Sequence, residues 1–355
     1  MSAFSFHTAI PMPPLAPSIP PEPPATDDRW LAWDRFLESN AETGFMQSSW
    51  WADFRVDAGY GHFGVMLKNR GFIVGGALVM TYRYPAGQCF YYIPEGPVLP
   101  SDEWAAEDVL GATLEQIEER RRQEELTVSH LRIEPRWERL PEFLRGFRQV
   151  RSFQDRYMEP RDTLCVDLRP SEAAILAQMK PKGRYNIGVA RRHGVAVVED
   201  TSWEGVADFL NIYDAMADRQ GLRAKPHDYF ERLVELLSAR RRGGIFFAEH
   251  RGERIAAALV VTFGPRATYF FGGSLATHRN LMAPYLLHFE IMRWAKAMGC
   301  ESYDFWGVAP QTEPDHPWAD ISAFKRKFGG AEVRLVPTLD LVYDPVAYEH
   351  YVRSG

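Results

Sequence analysis

The sequence predicts an α/β protein made of two tandem domains, each a mixed sheet flanked by helices. The same order of elements (hairpin, strand, helix, strand) occurs twice along the chain of 355 residues. From turn glycine to terminal acid, the copies span 63 positions (Gly71 to Glu134) and 52 positions (Gly252 to Asp304). Hydrophobic residues make up 46% of the chain and charged residues 25%, the balance expected of a globular protein with a substantial core.

The first copy opens with a hairpin. Apolar residues at 65–67 predict a strand, Asn69-Arg70-Gly71 is typical of a tight turn, and a second strand follows from Phe72 to about Tyr82. Its later elements are a strand at 89–93, a helix with Leu110, Leu114 and Ile117 at helical spacing, and a strand at 130–133 closed by Glu134 and Pro135. Helices at about 30–37 and 50–55 are expected to precede this copy.

The second copy repeats that order. Strands are expected at 245–248, 255–263 and 268–271, with a turn around Gly252. A helix begins at Pro284, a residue favoured in the first turn, and ends at Gly299. A strand at 302–305 contains Asp304 where the first copy has Glu134. Further helices are expected before this copy, at about 171–179, 203–220 and 228–242.

We therefore expect a first domain at residues 28–164 and a second at 165–355. Residues 11–24 contain eight prolines, which lack amide donors and fix φ. Residues 1–27 are accordingly predicted to be a disordered, proline-rich tail outside the fold.

Charge and composition narrow the class of protein. The net charge of −6 argues against DNA as a partner, although a local basic stripe is compatible with RNA. The three cysteines are far apart, and the histidines have no metal-ligand spacing, so neither a disulfide framework nor a metal site is expected. With no secretion signal and no apolar run of about 18 residues, we expect a cytoplasmic protein that does not span a membrane.

The order of elements resembles the N-acetyltransferase (GNAT) fold, whose acyl donor enters where two strands splay apart. Enzymes of that superfamily that use acetyl-CoA carry an R-x-x-G-x-G/A turn whose backbone amides bind the pyrophosphate. The loops at 93–102 and 272–283 lack this turn. The sequence therefore disfavours CoA as the donor.

A local cluster of cations stands out in this acidic chain. It comprises Lys180, Lys182, Arg184, Arg191 and Arg192. Such a cluster suits a phosphate or RNA contact, and it is equally compatible with a solvated helix face.

Four landmarks, in order, resemble the Fem family of peptidoglycan-bridge aminoacyltransferases. They are Phe45 to Trp51 (FMQSSWW), Tyr92 to Val98 (YIPEGPV), Lys180 to Asn186 (KPKGRYN) and Phe324 to Gly329 (FKRKFG), supplemented by Tyr303 to Gly307 (YDFWG) and the His278-Arg279 loop. Each motif is weak alone, and together they cover nearly all of residues 40–340.

The resemblance implies two GNAT-like domains. The first would hold a UDP-linked or lipid-linked muropeptide, and the second would present the aminoacyl end of a charged tRNA, which is a co-substrate, so no cofactor is expected. A lipid-linked acceptor implies peripheral contact with the inner face of the membrane. The segment from Asp228 to Gly243 is too short for the coiled-coil arm of some members, and residues 335–350 are implied to cross back and complete the first domain.

The resemblance also implies site residues. The motif Phe324-Lys325 corresponds to the reaction centre, where an ammonium group stabilises the oxyanion formed when an amine attacks an ester carbonyl. Glu134 and Asp304 are candidate acids at equivalent strand ends, each alternatively a structural hydrogen-bond acceptor. Candidate substrate-binding residues are Arg55, Lys180, Lys182, Arg184, Asn186, Lys225, Tyr229, Phe271 and Arg279. Without the family match, Lys325 would be interpreted as an exposed loop residue. Tyr229 lies in a predicted helix with Phe230, Leu233 and Leu237, so a role in the core is an alternative for it.

The predicted reaction needs a neutral amine. A lysine-like amine has a pKa of about 10.4, so deprotonation at pH 7 costs about 4.6 kcal/mol, which the site must reduce. The sequence leaves the general base unassigned. Two other functions stay open: acyl transfer to a small metabolite or exopolysaccharide component, including transfer from acyl-CoA, and a non-catalytic binding protein on the same fold.

Overall fold

The computed structural model describes residues 28–40, 43–84, 87–150 and 158–353, so the predicted tail at 1–27 lies outside the described residues. The chain forms two compact units. The first unit combines the described residues up to Arg161 with residues 335–353, and the second unit comprises Asp162–Arg334. The second domain thus ends at Arg334 and not at residue 355, because the C-terminal segment pairs with strands of the first unit.

The first unit contains a six-stranded mixed sheet with helices. Its strands are β1 (Gly61–Asn69), β2 (Phe72–Tyr84), β3 (Gln88–Pro94), β4 (Thr127–Glu134), β5 (Arg148–Val150) and β13 (Thr338–Val342). Its helices are α1 (Asp28–Glu38), α2 (Ser49–Asp57), α3 (Glu103–Arg122) and α10 (Pro345–Arg353). The strand order is β1-β2-β3-β4-β13-β5, in which β3 and β4 are parallel and the other pairs antiparallel.

The second unit contains a seven-stranded mixed sheet. Its strands are β6 (Asp162–Asp167), β7 (Ala196–Glu199), β8 (Gly243–His250), β9 (Glu253–Phe263), β10 (Arg266–Ser274), β11 (Ser302–Gly307) and β12 (Ala331–Arg334). Its helices are α4 (Glu172–Gln178), α5 (Pro181–Arg192), α6 (Trp203–Gln220), α7 (His227–Arg240), α8 (Ala283–Ala297) and α9 (Ala319–Lys325). The order is β12-β6-β11-β10-β9-β8-β7, and β10 and β11 form the parallel pair.

The predicted fold class, two α/β units with mixed sheets flanked by helices, is confirmed. Helix α5 was not among the predicted helices, since Pro181, Gly183 and Gly188 weaken the local helical pattern. In the structure Pro181 occupies the first turn, where its missing amide costs nothing. No helix in the described ranges is both long and apolar enough to cross a membrane.

Two of the sequence landmarks meet inside the first unit. The buried Gln47 amide donates to the carbonyls of Pro94 (2.6 Å) and Leu78 (3.3 Å), and its oxygen accepts from the Leu78 amide (2.9 Å). The buried Glu95 carboxylate accepts from the Met46 amide at 3.0 Å. These side chains satisfy buried backbone groups, so the Phe45–Trp51 and Tyr92–Val98 landmarks have a structural function here.

A buried ion pair fixes the returning C-terminal strand. Arg132 of β4 donates from Nε and Nη2 to the two carboxylate oxygens of Asp340 in β13, both at 2.8 Å, and neither side chain has exposed surface. Tyr348 of α10 also donates to Asp340 at 2.7 Å, and Arg132 donates to the Tyr351 hydroxyl at 3.1 Å. The pair therefore joins β13 and α10 to the sheet of the first unit.

We expect Asp340→Ala to destabilise the protein by about 3–5 kcal/mol, because it leaves the Arg132 guanidinium buried without its carboxylate. The control is Glu142→Ala, which breaks an exposed pair with Arg145 (2.7 Å) in the same unit and should cost less than about 1 kcal/mol. Urea unfolding of both variants measures the difference. Equal losses of unfolding free energy in the two variants would contradict a larger stabilisation by the buried pair.

Candidate functional site

The two central strands of the second unit separate from each other. Strands β10 and β11 pair at only three positions, Arg266–Thr268 with Ser302–Asp304. Beyond these, β10 continues to Ser274 along β9, while β11 continues to Gly307 along β6. The result is an opening in the sheet where the two strands diverge.

The first unit has no such opening between its equivalent strands in the described residues. Strands β3 and β4 pair from Gln88 and Thr127 through to Pro94 and Glu134, with one irregularity in register. The two copies of the element order therefore differ at the position where a GNAT-like fold admits its acyl donor.

A β-bulge shapes the β11 side of the opening. The register of β11 against β6 shifts between Asp304 and Gly307, and Trp306 has a φ of 60°. The Trp306 amide donates to Asp304 Oδ1 at 2.8 Å, and the hydroxyl of Thr163 donates to the same oxygen. Asp304 is fully buried, so the carboxylate is a hydrogen-bond acceptor within the bulge.

Lys325 lies beside this bulge, at the C-terminal end of α9. Its side chain is buried, Nζ donates to the Gly307 carbonyl at 2.7 Å, and Nζ is 5.7 Å from the centre of the Tyr269 ring on β10. Burial lowers the pKa of Lys325 to about 7, against an opposing effect of Asp304 that raises it. Near neutral pH this amine is thus close to the balance between its charged and neutral forms.

Aromatic residues surround the lysine. The preceding residue, Phe324, is half-buried and contacts Tyr285 of α8 with ring centres 5.0 Å apart. His288 of α8 is buried, and its Nδ1 is 2.8 Å from the Tyr303 hydroxyl. Burial, with a smaller effect from Lys325, lowers the pKa of His288 to about 3, so the imidazole is neutral near pH 7. Lys325 therefore lies among neutral aromatic side chains, with the Asp304 carboxylate as the opposing charge.

The landmarks Lys180 to Asn186 and Phe324 to Gly329 contact each other within the second unit. The Lys180 amide donates to the Lys327 carbonyl at 3.0 Å, and a Cβ on Gly183 would lie 2.5 Å from that carbonyl oxygen. Glycine at 183 thus permits α5 to approach the segment that follows Lys325.

The basic candidates on α5 divide into two groups. Lys180, Lys182 and Arg184 are exposed at the start of the helix, and Arg184 donates to the carbonyls of Ala177 (3.2 Å) and Met179. Asn186, further along the helix, is buried. The exposed cations are available to a polyanion, whereas Asn186 is placed as part of the packing.

Lys225, Tyr229 and Phe271 lie together in the second unit. Lys225 Nζ is 5.6 Å from the centre of the Tyr229 ring, and that ring lies 5.9 Å from the ring of Phe271. Tyr229 is buried on α7, while Phe271 is half-buried on β10 beyond the point where the strands diverge. Arg279 is exposed in the turn after β10, and together with burial it lowers the pKa of Arg219.

Glu134 and Arg55 belong to the first unit. The Glu134 carboxylate accepts four hydrogen bonds, from Tyr92 (2.7 Å), Thr338 (2.8 Å) and the amides of Met158 (2.7 Å) and Glu159 (2.9 Å). Burial raises its pKa, which the neighbouring Arg132 and these donors oppose. The carboxylate thus joins β3, β4 and β13, and its catalytic role stays a prediction.

Arg55 of α2 lies among aromatic side chains. Its guanidinium carbon is 4.1 Å from the centre of the Tyr60 ring, and Nη2 donates to the Tyr82 hydroxyl at 2.9 Å. This orients the guanidinium group firmly, as a phosphate-binding position requires.

Several residues of this region were not identified from sequence. Thr163, Tyr269 and His288 carry no motif of their own, and a histidine or tyrosine on an apolar face is usually core. Trp306 belongs to a recognised landmark, yet its positive φ has no sequence signature. The available signal was Asp304 two residues before Trp306, since an aspartate readily accepts from the amide two positions on.

Comparisons with known proteins give consistent results. A model of the FemAB family matches residues 146–241 and 244–352. A UDP-N-acetylmuramoylpentapeptide-lysine N(6)-alanyltransferase of Weissella viridescens is 26% identical over 200 residues, covering 56% of this chain and 58% of that protein. A lipid II:glycine glycyltransferase of Staphylococcus epidermidis is 19% identical over an alignment of 391 positions, covering 90% of this chain and 93% of that protein.

Solved structures with the same fold were also found. The crystal structure of FemX has a TM-score of 0.82 at 16% identity, covering 91% of this chain and 98% of its own. A tandem GNAT protein from the clavulanic acid biosynthesis pathway has a TM-score of 0.50 at 13% identity, covering 90% and 96%. These likenesses show a fold of two GNAT-like domains.

The buried amine of Lys325 leads us to expect that the stability of the protein depends on pH. Between about pH 7 and about pH 10 the unfolded chain holds this proton and the folded protein has lost it, so stability attributable to this group rises with pH across that window. Lys325→Met removes the titration. We expect the variant to be more stable than the parent near pH 7, with the difference shrinking toward pH 10.

Urea midpoints measured at several pH values test this expectation. A matched variant, Lys68→Met, replaces an exposed lysine of β1 and should keep the pH dependence of the parent. If Lys325→Met retained that dependence too, Lys325 would not be the buried titrating group.

Proposed function

The chain belongs to the FemAB family, and we propose that it transfers an aminoacyl group from a charged tRNA to an amine of a peptidoglycan precursor. The observation that carries this proposal is the buried Lys325 amine at the bulge where β10 and β11 diverge. Of the two relatives described above, one is named as an alanyltransferase acting on UDP-N-acetylmuramoylpentapeptide-lysine and the other as a lipid II:glycine glycyltransferase.

The chemistry is direct aminolysis of an ester. The acceptor nitrogen attacks the ester carbonyl, a C–N bond forms, the C–O bond to the terminal ribose breaks, and the ribose oxygen leaves with a proton originating on the amine. Negative charge develops on the carbonyl oxygen in the transition state. A donor aimed at that oxygen in a buried site stabilises this charge strongly.

Lys325 is suited to be that donor. One proton of Nζ is directed to the Gly307 carbonyl, and the ammonium form has two more to offer. Its pKa of about 7 makes it a stronger acid than an exposed lysine while still substantially protonated near neutrality. We therefore assign Lys325 to charge stabilisation and assign no residue as the general base.

The two substrates are assigned to different units. Lys180, Lys182 and Arg184 present exposed positive charge at the start of α5, whose backbone contacts the segment after Lys325, so this surface is proposed to bind the tRNA phosphates. Arg55 is proposed to bind a phosphate of the muropeptide through its oriented guanidinium group. A lipid-linked precursor would bring the protein into peripheral contact with the inner membrane face.

A transfer assay tests the proposal directly. Incubation with a mixed pool of charged tRNA and UDP-linked or lipid-linked muropeptide should add one residue to the acceptor, detected by mass spectrometry. Lys325→Ala should slow transfer by about 100- to 1,000-fold, whereas Lys68→Ala should transfer at the parent rate. If no muropeptide gains a residue, the proposed acceptor is wrong. If a residue is added in the absence of charged tRNA, the proposed donor is wrong.

The basic surface at the start of α5 can be tested separately, through its effect on the binding of charged tRNA. Lys180→Ala combined with Lys182→Ala should raise the KM for charged tRNA about tenfold and reduce the slope of log affinity against log salt by about two. Arg240→Ala combined with Arg241→Ala removes two exposed cations at the far end of α7 and serves as the comparison. If both double variants changed the KM for charged tRNA equally, the start of α5 would not be a specific contact for tRNA.

A further inference from the structure

The bulge in β11 forces a bulky residue into an unusual conformation. Trp306 has a φ of 60°, a left-handed conformation that tryptophan rarely adopts. Such conformations persist where surrounding contacts hold them, and they concentrate at functional sites. One of these contacts is made by Asp304 Oδ1, which accepts from the Trp306 amide at 2.8 Å and from the Thr163 hydroxyl.

The bulge determines where Lys325 is held. Gly307 directly follows Trp306, and its carbonyl is the acceptor for Lys325 Nζ at 2.7 Å. The direction of that carbonyl depends on the dihedral angles of the bulge, which Asp304 stabilises. A chain of contacts therefore runs from Thr163 through Asp304 and the bulge to the lysine amine.

Asp304 also supplies the charge opposite Lys325. Among the described residues, Tyr269 of β10 has its ring centre 5.7 Å from Nζ, His288 of α8 interacts electrostatically with Lys325, and Tyr303 of β11 is hydrogen-bonded to His288. Burial raises the pKa of both tyrosines and lowers that of the histidine, so all three are neutral near pH 7. Arg326, next to Lys325 in the chain, is paired with Glu332 at 2.7 Å.

We propose, on the basis of the proposed function, that Asp304 is a positioning residue for Lys325. Its carboxylate locks the β11 bulge that directs the Gly307 carbonyl to the amine, and its buried negative charge favours the protonated form of the amine. Asp304 Oδ1 already accepts two hydrogen bonds inside the fold, which suits this role better than removal of a proton from the acceptor amine.

The test separates the charge of Asp304 from its hydrogen bonds. Asp304→Asn keeps an oxygen acceptor for Trp306 and Thr163 but removes the charge, whereas Thr163→Val keeps the charge and removes one hydrogen bond. The control is Asp200→Asn, because Asp200 lies in the same unit and also accepts from a backbone amide, that of Ser202 at 2.9 Å.

The direct readout is the titration of Lys325 in the full-length protein, followed by NMR of lysine labelled with ¹³C at Cε and assigned with Lys325→Arg. Asp304→Asn should lower the midpoint by roughly one pH unit. The alkaline limb of kcat should move down by the same amount, with little change in KM for charged tRNA. Thr163→Val should lower kcat with a smaller movement of the midpoint, and Asp200→Asn should change neither.

Each outcome decides one proposal. An unchanged midpoint in folded Asp304→Asn overturns the positioning role, whether or not the protein is a transferase. A lowered midpoint in a protein that transfers nothing supports the positioning role and overturns the proposed function. If Asp304→Asn alone does not fold, Trp306→Gly relieves the positive φ, and the same comparison is made between Trp306→Gly and its combination with Asp304→Asn.

Discussion

Arg132 and Asp340 bear opposite charges with no exposed side-chain surface, and the course of the chain depends on keeping them paired. The two residues are separated by the whole second unit in sequence, yet the strands that carry them are neighbours in one sheet. Glu134, two residues further along β4, also joins distant segments, because its four hydrogen-bond donors come from three separate parts of the chain. Because removing one partner of a buried pair is costly, these groups favour β13 as the strand that joins the first sheet at this edge.

The two units share an order of elements but use their buried polar groups differently. In the first unit the acid at the end of the fourth strand bridges neighbouring segments, and the parallel strands stay paired to their ends. In the second unit the equivalent acid, Asp304, holds a bulge, and the parallel strands part after three positions. The two units therefore share an order of elements and differ in the polar contacts at the end of the equivalent strand.

The sequence predicted the repeated architecture because hydrophobic periodicity and turn glycines act locally, and Gly71, Gly252 and Pro284 mark their turns and helix start without reference to the rest of the chain. It did not predict α5, whose Gly183 is explained only by the closeness of the Lys327 carbonyl. Lys325 was identified by family resemblance, but its burial could not be predicted, because a run of lysine and arginine is typical of an exposed segment. The positive φ of Trp306 and the neutral state of His288 depend on contacts between distant segments, which no local pattern encodes.

The second unit is an uninterrupted segment, whereas the first is completed only by residues 335–353. During synthesis on a ribosome, residues 162–334 emerge with every strand of their own sheet, so that unit can fold first. Strand β4, however, has one edge unpaired and the Arg132 charge uncompensated until Asp340 has been made. The first unit, although its strands begin earlier in the chain, is therefore completed after the second, and a nascent chain arrested before Asp340 presents an open β-edge that invites association with other chains.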